Sequence, residues 1–305
     1  MNSCLFPCKK SVEDYAHALL IDKIGFATLN PVDDGAVQQY GQWIAGGCHG
    51  DMTYLEKYSD IRANPALLLP SARTIIVCAI NYTPVTKQCA GAPEIASYAY
   101  GRDYHEVVRE KLTAVAEFIK LKWGGEARVC VDTAPIRERY WAQRAGVGFI
   151  GKNSQLILPG KGSRFFLGEI LTSIEFEPDE PCIEQCLNCG RCVGICPGGA
   201  IKGDCSIDAR KCLSYLTIEY RGEFDASVKL GNHLYGCDEC QNVCPHNLNA
   251  IPTQIPEFQP TEALLNLNRD DIKNMTPAQF SEMFRHSAIK RTKLSGLQRN
   301  EKYLE

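Results

Sequence analysis

Ten of the sixteen cysteines fall between Cys182 and Cys244, six (Cys4, Cys8, Cys48, Cys78, Cys89 and Cys130) precede that window, and none follows it. Within the window, Cys186-x2-Cys189-x2-Cys192-x3-Cys196-Pro197 has the spacing that wraps a [4Fe–4S] cubane corner by corner, with soft thiolates matched to iron. In two-cluster proteins the fourth cysteine of such a run serves the other cluster. A partner run must then exist, and Cys237-x2-Cys240-x3-Cys244-Pro245 supplies it one cysteine short; Cys212 upstream completes the set. The crossed reading gives Cys186, Cys189, Cys192 and Cys244 to one cluster and Cys196, Cys212, Cys237 and Cys240 to the other. Structural zinc also uses CxxC pairs, but the long run ending in Cys-Pro is the sharper pattern. Cys182 and Cys205 fit neither run and read as spare thiols. Cys48, Cys78, Cys89 and Cys130 read as packing or surface residues, since a buried free cysteine behaves as a small hydrophobe.

Two clusters make an electron wire without naming the chemistry at its end. The rest of the chain must position that chemistry. It has 305 residues, 45% hydrophobic and 23% charged, with a formal net charge of −3. This suits roughly two domains and offers no overall basic field for bulk nucleic-acid binding. No apolar run is long enough for a spanning helix, and the first residues, MNSCLFPCKK, carry no export leader, so a cytoplasmic location is expected and the cysteines are ligands rather than disulfides.

The front region alternates helix and strand patterns. SVEDYAHALLID opens with a Ser-x-x-Asp cap, and KIGFATLN follows as a strand. RTIIVCAINY (73–82) reads as a buried strand. From Asp103 a helix places Val108, Leu112, Val115 and Ile119 on one face, ended by Gly124-Gly125. ARVCVDT (127–133) is a short strand, Pro135 begins another helix, and SQLILP and RFFLGEILTSIEF are two more strands. The alternation implies an α/β layer architecture. EPDEP (177–181) is an acidic, proline-rich break, and IPTQIPEFQP (251–260) is a second one. TPAQFSEMFRH in the tail reads as a capped helix. The expected organisation is therefore 1–178, 179–250 and 251–305.

Five segments together resemble the epoxyqueuosine reductase family: VDTAPIRERYWAQRAGVGFIGKN, SRFFLGEILTSIEFEPDEP, CLNCGRCVGICPGGAI, DARKCLSYLTIEYRG and GNHLYGCDECQNVCPHN. RANPALLLPSARTIIV, YGRDYH and FRHSAIKRTKLSGLQRN extend the likeness over nearly the whole chain. The resemblance implies a cytoplasmic enzyme that reduces the epoxide of epoxyqueuosine in tRNA to queuosine, the last step of queuosine synthesis. It implies a cobalamin in a nitroreductase-like α/β (α+β) domain, followed by a two-cluster ferredoxin-like domain whose clusters reduce the cobalt to Co(I). Loss of the oxygen as water needs two electrons and two protons, so an acid must stand close by. An unidentified electron donor and a monomeric state are expected. Many members continue into a C-terminal helical-repeat domain; this chain stops at Glu305 and reads as a short form.

The resemblance carries several roles over to this sequence. Asp132, in the VDT motif, is the proton donor; it ends a strand, where α/β sites commonly form, and burial beside an apolar cofactor should raise its pKa. The other reading of Asp132 is a cap for the helix starting at Pro135. Arg62, Ala96, Leu156, Leu167, Ser214, Cys237 and Asp238, with Asp132, match positions around cobalamin. Asp103-x-His105 lacks the glycine of a cobalamin-ligating Asp-x-His-x-x-Gly, because the sixth position is Val108. No axial histidine is therefore expected and the cobalamin is base-off; His105 faces substrate or begins a helix.

From Arg285 to Lys302 the tail carries Arg285, Lys290, Arg291, Lys293, Arg299 and Lys302 against one acid, Glu301. With Arg221, the residues Lys290, Arg291, Lys293 and Arg299 read as tRNA phosphate contacts, the alternative being a solvated helix face. Tyr100–Arg102 is a further candidate. Two other functions compete with tRNA modification: a cobalamin-dependent reductase of a small molecule, such as a dehalogenase, and an electron-carrier subunit.

Overall fold

The computed structural model describes residues 6–305, so Cys4 lies outside the described residues. A four-stranded sheet forms its first half, in the order β1 (Lys23–Thr28), β2 (Thr74–Asn81), β7 (Phe165–Thr172) and β4 (Ala127–Cys130). Every neighbouring pair in it is antiparallel. The front is thus α+β, the second of the two forms that the alternation of helix and strand allowed. A lone strand reads the same whichever way its neighbour runs, and only the connections decide.

Both faces of the sheet are covered. Helix α1 (Lys9–Ala18) and the long α4 (Tyr104–Trp123) seal one face, and Val108, Leu112, Val115 and Ile119 are all fully buried there. Gly168 on β7 lets α4 approach, since a Cβ at that position would stand 2.7 Å from Leu112. Helix α5 (Glu138–Arg144) seals the other face with Trp141 and Ala142. Helices α2 (Asp34–Ala45) and α3 (Ser59–Ala63) lie between β1 and β2 in the chain. Cys78 and Cys130 pack inside the sheet layers, Cys48 is also buried, and Cys89 is exposed. Two expected helix starts move. Helix α1 begins before Ser11, which donates to the Cys8 carbonyl instead of capping. Helix α5 begins at Glu138 and not at Pro135, because 132–137 turns away from the sheet first.

Four short strands form two further pairs. β5 (Phe149–Ile150) and β6 (Leu156–Ile157) form one ribbon. β3 (Glu94–Ile95) pairs in parallel with β8 (His233–Tyr235), so a strand of the front region zips onto the cysteine-rich region. Around β8 come the short helices α6 (Arg191–Ile195), α7 (Leu213–Ile218) and α8 (Glu239–Asn242). The tail forms α9 (Glu262–Leu265), α10 (Arg269–Asn274), α11 (Pro277–Met283) and α12 (Lys293–Glu301). Helix α11 starts at the expected capping box, Thr276 with Gln279. Tail side chains such as Leu264, Phe284, Ile289 and Leu297 share one apolar cluster with Leu213, Leu216, Leu234 and Tyr235. The acidic break is pinned as well: Asp179 pairs with Lys9 and accepts from the Phe26 N–H at 2.9 Å. No helix among the described residues is long and apolar enough to cross a membrane.

Candidate active site

Ala96 follows β3 and Cys237-Asp238 follow β8, so the β3–β8 pairing sets these residues side by side. The Ser97 N–H donates to Asp238 Oδ2 at 2.8 Å. Gly236, at φ +73, makes the turn between them, and a Cβ there would meet Ala96 at 2.5 Å. These residues form one wall of a cleft holding about 1290 Å³ of space, open to solvent. Leu156 of β6 and Leu167 of β7 line it from the sheet side, Ser214 of α7 from another, and Asp132 from the loop after β4. Seven of the eight residues expected around cobalamin thus line a single cleft. Arg62 does not. It ends α3, half-buried, with its guanidinium 5.9 Å from the Tyr40 ring.

The same cleft is lined by Cys196, Cys212, Cys237 and Cys240. Burial comes first in raising the Cys237, Cys240 and Cys212 thiols, and the thiols of this group raise one another. A separate, much smaller hollow is lined by Cys186, Cys189, Cys192 and Cys244. There too burial and then the neighbouring thiols raise Cys192 and Cys244. The fold therefore sorts eight cysteines into the two crossed sets. Raised thiols release protons when iron binds, so cluster assembly is coupled to pH. His246 stands in the wall of the hollow, its buried Nε2 without a partner among the described residues. Cys205 is exposed, and Cys182 packs against the hollow beside Cys186 without lining it.

Asp132 has φ +47, the left-handed region that aspartate tolerates better than most side chains. Its Oδ2 lies 2.8 Å from His105 Nε2, and His105 Nδ1 lies 2.7 Å from Asp103 Oδ1. Partial burial disfavours the imidazolium, yet the hydrogen bonds and charges of Asp103 and Asp132 outweigh it and raise His105 to about 9. For Asp132 burial opposes ionisation, but the bond and charge of His105, then Tyr104, hold the carboxyl below its ordinary value. The expected upward shift is thus corrected: Asp132 is half-exposed and paired with a cation. Nor is Asp132 a helix cap. Its own N–H donates to Glu138 Oε1 at 2.9 Å.

The basic residues are dispersed. Lys290 and Lys293 are exposed. Arg291 is held by Glu219 at 2.8 and 2.9 Å and lies 5.8 Å from the exposed Tyr54 ring. Arg221 donates to the Ile218 and Arg291 carbonyls. Arg299 is a correction: it is 7% exposed and donates to the carbonyls of Leu216, Tyr220 and Gly222, so it holds the fold and offers nothing to a phosphate. Arg102 is likewise occupied, by Glu106 and Glu110.

Sequence reasoning passed over two site groups. Asn153 stands in the cleft wall with its buried Nδ2 unpartnered among the described residues. Glu138 also lines the cleft, and behind it Glu169 of β7 is wholly buried. An acid amid the apolar run FFLGEILT was the available signal for Glu169.

A cleft with four thiols on one wall and a hydrogen-bonded carboxylate on another defines a two-cluster iron–sulfur oxidoreductase. Consistent with that class, residues 185–247 match a family model described as a 4Fe-4S double cluster binding domain. Residues 62–133 match the model described as epoxyqueuosine reductase QueG, DUF1730. Epoxyqueuosine reductases of Synechocystis and Cellulophaga algicola are 40% and 38% identical, covering 91% and 87% of this chain and 98% and 87% of their own. An epoxyqueuosine reductase solved with an epoxyqueuosine-modified tRNA-Tyr stem loop superposes with a TM-score of 0.87 at 32% identity, over 96% of this chain and 79% of its own. One from Bacillus subtilis, solved with its catalytic aspartate loop swung out of the active site, gives 0.85 at 31% identity, with the same coverage of both chains. The chain belongs to the epoxyqueuosine reductase family.

Proposed function

We propose that the protein reduces epoxyqueuosine to queuosine in the anticodon loop of tRNA, as a cytoplasmic monomer fed by an external electron donor. The observation that carries this reading is the shared cleft, where Asp132 stands on one wall and Cys196, Cys212, Cys237 and Cys240 on another. The working organisation is a nitroreductase-like cobalamin-binding unit (1–178), a cluster unit (179–250) and a tail (251–305).

The cleft suits a corrin. Ala96, Leu156 and Leu167 offer apolar surface, Ser214 and Asp238 polar groups, and Asn153 an unpaired buried amide. Bound there, base-off cobalamin supplies a strongly reducing, nucleophilic metal beside the epoxide. Both ring nitrogens of His105 are engaged by aspartates, so this side chain is not free to become an axial ligand. Cys196, Cys212, Cys237 and Cys240, which line the cleft, would hold one [4Fe–4S] cluster, and Cys186, Cys189, Cys192 and Cys244 would hold the other, outer one, the pair supplying electrons one at a time. Asp132 meets the epoxide oxygen and delivers a proton that His105 stores at neutral pH. Arg62, matched by resemblance to an arginine near the cofactor, stands beside Tyr40 outside the cleft lining and is given no direct contact. Arg221, Lys290, Arg291 and Lys293 neutralise tRNA phosphates.

Loaded anaerobically with iron, sulfide and cobalamin, the protein is expected to convert epoxyqueuosine in a tRNA stem loop and to leave an aryl bromide untouched. Turnover of the bromide without the stem loop would overturn the reading in favour of a small-molecule reductase. A chain that binds no corrin would instead be an electron carrier.

A further inference from the structure

The reaction consumes two protons, yet the Asp132–His105 pair holds one at neutral pH. Glu138 occupies the opposite side of Asp132 from that bond: it accepts the Asp132 backbone N–H at 2.9 Å and lines the same cleft. Glu169 lies behind it in the sheet, opposite Val77 and Cys130, fully buried and with neither carboxyl oxygen hydrogen-bonded among the described residues. Three carboxyl groups thus run inward from the cleft. Like charges this close and this poorly solvated cannot all ionise, and the innermost keep their protons.

We propose that Glu138, set between Asp132 and the buried Glu169, holds the second proton of the reaction. The proposal rests on the reductive reading of the cleft. In balance, the epoxide takes up two electrons and two protons, both its C–O bonds break, a C=C bond forms and the oxygen leaves as water. The electrons come from a low-potential one-electron donor through the clusters. One proton passes from His105 through Asp132, and the other from Glu138, which bulk water later restores.

Charge around Glu138 agrees. Burial and then the Asp132 charge raise it to about 7, against weaker opposing effects of its Asp132 N–H bond, Arg139 and His105. Tyr104 and Cys130 also face it, and both remain neutral, since burial raises Tyr104 far above neutrality and Cys130 to about 12. Glu169 is raised well above its ordinary value by burial, then by Glu138 and Asp132.

Infrared difference spectra of the full-length protein, titrated without substrate, should show protonated carboxyl absorption at pH 6. One component should vanish in E138Q and a separate one in E169Q. A carboxyl raised from 4.5 to about 7 favours the fold below pH 4.5 and loses that contribution as pH rises to about 7. Thermal stability of wild type should therefore fall relative to E138Q across that window. In single turnover of the stem loop, E138Q should be slowed at least about tenfold with unchanged stem-loop affinity, and its rate should no longer titrate near pH 7. E169Q, a neutral isostere of a group with no hydrogen-bond partner among the described residues, should fold and convert substrate with the Glu138 titration unchanged. Loss of neither infrared component, or a wild-type pH profile in E138Q, overturns the proposal. If wild type itself converts no stem loop, the reductase reading fails, while the infrared and stability titrations still decide where the protons sit.

Discussion

Asp132 and His105 act as one unit, because each sets the other's charge. His105 is raised to about 9, so its contribution to stability is complete below about pH 6.5 and is lost as pH rises through about 9. Thermal denaturation from pH 6 to 9.5 should show this loss in wild type and a smaller one in D132N, where Asp103 alone still holds the cation. NMR titration of D132N should find the His105 pKa lowered toward 6.5. The aspartate was legible in the sequence from its motif. Its ionisation was not, because the partner lies 27 residues away and only the packing of α4 against β4 joins them. The rule that α/β sites form at strand ends does not account for Asp132, because β4 is an antiparallel edge strand. The residue is in the site for a different reason: the chain turns at φ +47 after β4 and carries it into the cleft.

Helix α4 shows what periodicity does reveal. Its four core positions, its Asp103 cap and its glycine stop are all visible in the sequence. Leu112→Ala, at a fully buried site, should cost about 2–5 kcal/mol in denaturant unfolding, while Leu121→Ala at the exposed face should change stability by less than about 0.5 kcal/mol. Strand order was not legible, since β1 and β2 are separated by two helices and β7 enters the sheet between β2 and β4. Charge counts misled in α12 for a related reason. The run of basic residues is a sequence property, whereas the helix turns Arg299 inward and Lys293 outward. Arg299→Ala should lower stability by about 1–3 kcal/mol through unsatisfied carbonyls, with the salt dependence of stem-loop binding unchanged. Lys290→Ala and Lys293→Ala should leave stability alone and each lower the salt slope by about 1.

Across the whole molecule, the crossed cysteine sets tie the cluster region to itself, and the β3–β8 pair ties it to the front. Cys192→Ser and Cys244→Ser should each abolish the outer cluster, and Cys196→Ser should remove the inner one, as read by iron counting and electron paramagnetic resonance. A sequential arrangement would make Cys196→Ser resemble Cys192→Ser instead. This much was legible because ligand spacing is written directly in the chain. The meeting of Ala96, Leu156, Ser214 and Asp238 was not, since it depends on a two-residue parallel pairing with no pattern of its own. The central claim is that the inner cluster, the cofactor cleft and Asp132 form one reducing centre for a tRNA nucleotide. Its most direct test is a single anaerobic turnover of an epoxyqueuosine stem loop, followed by mass spectrometry, with wild type and D132N both loaded with corrin and eight irons. Wild type should yield queuosine, and D132N should be slower by at least about 10²-fold. Equal rates in the two proteins, or an unreacted epoxide in both, would contradict the account.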